Sequence, residues 1–161
     1  MDIAFAIVLL FAIAIGMTTT FKVFNDVAID LNASTELSNT TRSELDIHRQ
    51  TIPTTMDRLY LLIFFGAFGA ILVSAFLIRS NLLFFLIAVL VLAVFVFISA
   101  ILSGAYTDFI ESEASLNTYA TSTFRLTTHL INNYPIYATI LGFMVLIALY
   151  AKTGSNVGSG I

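Results

Sequence analysis

Glu44, Asp46 and His48 stand two residues apart on a polar stretch, and Glu44 and His48 share one helical face at a spacing of four. Further along, Glu111, Glu113 and His129 offer the same residue types. Carboxylates and imidazoles together are the groups that hold a divalent metal or pass a proton. Neither stretch has the spacing of a metal-binding helix such as His-Glu-x-x-His, and a solvated face explains these charges better than a site does. Other chemistry lacks its residues: the chain has no Cys, no serine lies in Gly-x-Ser-x-Gly, and no glycine-rich phosphate loop is present. Neither enzymatic activity nor a metal or other cofactor is expected.

The elements that would position such residues follow from the composition. Of 161 residues, 58% are hydrophobic and 11% charged, 15 are Phe, and the mean hydropathy is +0.96. Soluble domains carry about 25% charged residues, so a disordered chain and an ordinary cytosolic enzyme are excluded. A net charge of −3 supplies no basic field for nucleic acid. The partner implied by this composition is the lipid bilayer.

Gaps between charges locate the crossings. A hydrocarbon core about 30 Å thick needs roughly 20 apolar residues, and four stretches meet that length: 3–21, 59–78, 82–104 and 135–151. The expected fold is therefore all-α with four membrane spans, residues 1–152 forming a single membrane domain and 153–161 a flexible tail. Asp2 and the lack of a basic leader segment make the first stretch a retained anchor rather than a cleaved signal. Only Arg79, Ser80 and Asn81 separate the second and third spans, which predicts a central antiparallel hairpin.

Four crossings put both termini on one side and the polar connections 22–58 and 108–133 on the other. That second side holds five basic and nine acidic residues. By the positive-inside rule its Lys and Arg favour the cytoplasm, but at low density, and two Asn-x-Ser/Thr triplets begin at Asn32 and Asn39, so sidedness stays open. Tyrosine marks the span ends. Trp is absent, and Tyr60, Tyr106, Tyr134, Tyr137 and Tyr150 all fall at boundaries, as an interfacial belt with hydroxyls in water requires. Pro53, followed by Thr54 and Asp57, predicts a helix start, and Pro135 suits the first turn of the last helix.

Leu116, Tyr119, Leu126 and Leu130 recur at helical steps in the second connection, predicting an amphipathic helix that leads into the last span. The first span is expected to continue past Leu31, break around Ser38 to Thr40 and restart at the capping box Thr41-Arg42-Ser43-Glu44. Such stripes form a helical cap over the membrane. Packing within the cap is the plainer reading of Leu116, Tyr119, Leu126 and Leu130; lying along the lipid headgroups and docking on a partner protein are the others.

Small residues also recur every four positions: Ala12 and Gly16, then Gly66, Ala70 and Ser74, then Ala100 and Gly104, then Ala138 and Gly142. They are the expected helix-packing positions, because small faces let backbones approach closely in lipid. No Asp, Glu, Lys, Arg or His lies well inside any span, so an ion pathway of the chain's own is not expected.

Small size, absence of Cys, dense hydrophobicity, an uncleaved N-terminal anchor and no active-site residues together make a profile. It resembles the small integral membrane proteins of tailless icosahedral phages with an internal membrane, the tectivirus- and corticovirus-like group. The resemblance covers the whole chain as a profile and rests on no diagnostic motif. It implies a structural virion-membrane protein in many copies that links the lipid vesicle with capsid proteins. The alternatives are an accessory subunit of a cellular membrane enzyme or transport complex, and a holin-like membrane-remodelling protein, which the acidic polar face disfavours.

Overall fold

A computed structural model describes residues 3–34, 37–77 and 82–157 of the chain, and its regular structure is entirely helical. The helices are α1 (Ile3–Ala33), α2 (Asn39–Leu77), α3 (Leu82–Glu111), α4 (Ala114–Thr123), α5 (Arg125–Asn132) and α6 (Tyr134–Val157). α1, α2, α3 and α6 are each long and apolar enough to cross a membrane. The all-α, four-span architecture is thus present.

Length explains the cap. α1 and α2 contain 31 and 39 residues, or about 46 and 58 Å at 1.5 Å per residue, against roughly 30 Å of hydrocarbon. Their surplus turns project into water, where α4 and α5 pack against α1, α2 and the end of α3.

Around the bundle, α1 contacts α2 and α3, while α6 contacts the same two helices from the other side. α2 and α3, although consecutive, share almost no contact among the described residues. Among the spans, each of these two helices packs chiefly against α1 and α6 rather than against the other. Gly142 on α6 gives one reason, since Leu92 of α3 fills the space a Cβ would need. Arg79, Ser80 and Asn81 themselves lie outside the described residues.

Helix boundaries differ from expectation at four places. α2 begins at Asn39, where the Ser38 hydroxyl accepts the Thr41 N–H at 3.2 Å, two residues before the expected capping box. Pro53 starts no helix; it is buried inside α2. The missing proline N–H costs the Arg49 carbonyl its helical donor, while the Thr54 and Thr55 hydroxyls donate to the neighbouring Gln50 and Thr51 carbonyls at 2.9 Å. The second connection forms two helices rather than one, broken at Phe124. Finally, α6 continues through Val157, so Thr153–Val157 is helix rather than tail, and 158–161 lie outside the described residues.

The best-packed region lies where the spans meet the cap. Tyr60, Phe64, Tyr106, Ile110, Ala120, Leu130, Ile131 and Tyr134 form one buried cluster there. Toward the other end the helices present Leu77, Leu83, Leu86 and Ile147 outward, as lipid-facing surfaces do.

Candidate functional site at the base of the cap

Phe124 organises this region. Its backbone, at φ −103° and ψ 46°, ends α4 and begins α5, while its buried ring lies 5.9 Å from the rings of Phe21 and Tyr119. Breaking the helix to bury this ring exposes the N–H groups of the first turn of α5, and Phe124 has no side-chain acceptor for them. Asp57 supplies one from α2. Its carboxylate accepts the Thr127 N–H at 2.8 Å and the Leu126 N–H at 3.0 Å. Asp57 is only 5% exposed, so these bonds compensate a desolvated charge at the positive end of a helix.

The Pro53-Thr54-Asp57 pattern puts Asp57 at the start of its own helix. It instead caps a helix about 70 residues away. The available signal was that Pro53, Asp57, Tyr60 and Phe64 fall on one helical face, and all four are buried. An acidic residue on an apolar face requires a partner.

Tyrosine positions require a second correction. Tyr60, Tyr106 and Tyr134 lie at span ends as expected, but they are 0–2% exposed and so form no belt toward water. The Tyr60 and Tyr134 hydroxyls bond each other at 2.9 Å, joining α2 to α6. The Tyr106 hydroxyl lies 3.1 Å from Thr128 Oγ1 and 3.5 Å from Thr18 Oγ1, joining α3 to α5 and α1. Phe64 stacks on Tyr134 with ring centroids 5.5 Å apart. Each hydroxyl found a protein partner, which is what lets a phenol be buried. Tyr137 is half-buried and Tyr150 exposed, so Tyr150 alone keeps the outward orientation expected of a belt residue.

The small-residue positions separate cleanly. Ala138 and Gly142 on α6 are buried against the bundle. Gly66, Ala70 and Ser74 face outward from α2, and a Cβ at Gly66 would meet open space. Ala12, Gly16, Ala100 and Gly104 are exposed too. Packing within the chain uses Ala14, Thr18, Ser99 and Ser103 on α1 and α3 instead. Spacing identified the right residue type but could not fix which stripe turned inward.

Of the residues considered for docking, Leu116 and Leu130 are buried within the chain, Tyr119 is half-buried, and Leu126 is exposed. This corrects Leu116 and Leu130 as partner-facing positions, in favour of packing inside the cap. Burial also pushes the Tyr119 hydroxyl above its ordinary pKa. The carboxylates and histidines that opened the sequence question are dispersed. Glu44, His48, Glu111, Glu113 and His129 are exposed, and among the described residues no three such groups could share a metal ion.

Between α2 and the α4–α5 corner runs an open groove of about 540 Å³, bordered by Arg49, Asp57, Arg58 and Arg125. Arg58 immediately precedes the apolar run that begins at Leu59, which sets the groove at the membrane–water boundary.

These features define a class: an all-α membrane protein with four candidate spans and a helical cap. No family model, curated protein or solved structure matches the chain.

Proposed function

We propose that this protein is a non-enzymatic structural component of a membrane assembly, anchored by its four spans and presenting the cap to protein partners. The observation that carries the proposal is the cap's construction. Asp57, Tyr106, Thr128 and Phe124 tie α4 and α5 to α1, α2 and α3, so the polar face is a preformed surface rather than a pair of loose loops. Preformed surfaces reduce the ordering cost of association. Asp, Glu, Lys, Arg and His are absent from the apolar stretches 3–21, 59–78, 82–104 and 135–151, a pattern that suits anchoring more than ion transport.

In its specific form, the proposal is a virion internal-membrane protein that meets the capsid lattice. Fractionation of infected cells tests it. The protein should band with lipid and capsid protein in purified particles, and should cross-link to capsid protein through a photoreactive residue placed at Leu126. Recovery solely from host membranes, comigrating with a cofactor-bearing complex on a native gel, would overturn the virion form in favour of an accessory subunit. Collapse of membrane potential on expression alone would overturn the structural reading itself.

A further inference from the structure

The cap side is acidic overall, yet its uncommitted cations gather in one place. Of its five basic residues, Lys22 pairs with Asp26 and Glu113 at 2.6 and 3.6 Å, and Arg42 donates to the Ser34 carbonyl. The other three, Arg49, Arg58 and Arg125, border the groove between α2 and the α4–α5 corner. Arg49 has a single long contact with Asp46 at 3.6 Å. Arg58 and Arg125 have no ion pair among the described residues. Asp57, the acidic residue bordering the groove, has its carboxylate engaged by two backbone N–H groups.

Neutral donors complete the lining. Gln50 and Tyr119 both border the groove, and the Tyr119 hydroxyl is buried without a hydrogen-bond partner among the described residues. The volume of about 540 Å³ falls within the ordinary range for small-molecule sites. Guanidinium groups bind phosphate oxygens in a bidentate manner and are weakly hydrated, so they retain that ability at a lipid boundary.

We infer that this groove binds a phosphate group, and that its source is the headgroup of an anionic phospholipid. Position selects the source. Arg58 is the last residue before the apolar run of α2, so a phosphate held there sits at headgroup depth, with its acyl chains free to lie along the outward face of that helix. The site serves the protein whichever protein partner meets the cap.

Lipid selectivity tests the assignment directly. The full-length protein is reconstituted in phosphatidylcholine vesicles with trace spin-labelled phosphatidylglycerol or phosphatidylcholine, and the motionally restricted fraction is measured by electron paramagnetic resonance. The native protein should prefer phosphatidylglycerol, and Arg58→Gln and Arg125→Gln should each weaken that preference by about fivefold, as expected for roughly 1 kcal/mol per surface cation. Arg42→Gln, with the same charge change outside the groove, should retain it. Equal restriction of both lipids by the native protein overturns the proposal, as does unchanged preference in the R58Q/R125Q double variant when circular dichroism shows it folded. Glycerol 1-phosphate at millimolar concentration should not displace the lipid. Displacement would overturn the headgroup as source and assign the groove to a soluble phosphate.

Discussion

Replacing Asp57 with alanine removes the acceptor for two N–H groups in the first turn of α5, at 2.8 and 3.0 Å. Hydrogen bonds to a charged group contribute about 1.5–3 kcal/mol each, and a buried donor left unpaired costs its desolvation. Part of this gain is offset because the native carboxylate is itself desolvated. A net loss of about 3 kcal/mol in local stability follows, or on the order of 100-fold in the opening equilibrium. Asp57→Asn retains one acceptor and places an amide donor against the second N–H, so about half that loss is expected. Hydrogen–deuterium exchange of detergent-solubilised protein reads the effect at the amides of Leu126 and Thr127. Their exchange should accelerate roughly 100-fold in the alanine variant and about tenfold in the asparagine variant, while amides near Leu90 in α3 stay protected. Unchanged protection at Leu126 and Thr127 in a folded alanine variant would refute the cross-helix cap. Equal acceleration everywhere in both variants would refute its local character.

Other perturbations probe the remaining joints of the structure. Tyr60→Phe should cost about 1–2 kcal/mol by stranding the Tyr134 hydroxyl, while the Y60F/Y134F pair should lose less than the sum of the single changes; additive losses in denaturation would contradict a direct bond. Gly142→Ala should lower the melting temperature because Leu92 occupies the Cβ position, whereas Gly66→Leu, which enters open space within the chain, should leave the monomer's melting unchanged. A drop for Gly66→Leu would place that face in a contact. Burial raises the Tyr119 pKa, so the folded state holds this proton more tightly than the unfolded state. Its contribution to stability is full below the unfolded value near 10 and is lost as pH rises through the folded value. Tyr119→Phe should flatten the alkaline limb of the stability profile, and identical profiles would exclude that contribution.

How far the sequence carried the fold depends on the kind of signal. Charge-free runs located all four spans, because lipid penalises charge by type and position along the chain alone. Facing was much less legible. In water, polarity separates a helix's buried stripe from its exposed one, but in lipid both stripes are apolar and the contrast disappears. Gly66, Ala70 and Ser74 therefore carried the same spacing signal as Ala138 and Gly142, yet face the opposite way. Tyrosines suffered a related ambiguity: a residue with a ring and a hydroxyl suits a headgroup belt, but suits a buried cluster equally when threonines lie within reach. Thr18 and Thr128 provide that reach from elements 110 residues apart, and nothing in local spacing joins them.

Asp57 shows where the remaining information was held. A buried carboxylate cannot be left alone, so its presence on the Pro53–Tyr60–Phe64 face required donors from elsewhere in the chain. The donors came from a helix break, and the break came from Phe124, whose ring found Phe21. Each residue looks ordinary in its own window, and the arrangement exists only as a closed set across α1, α2, α4 and α5. The same closure spends Asp57 on backbone amides and leaves Arg58 and Arg125 without an ion-pair partner among the described residues at the membrane boundary. An acidic cap thereby acquires a local cationic groove that its excess of nine acidic over five basic residues would never suggest. Substituting Asp57 should for this reason disturb two measurements together: amide protection in α5 and the preference for anionic lipid. Arg58→Gln should disturb the second alone.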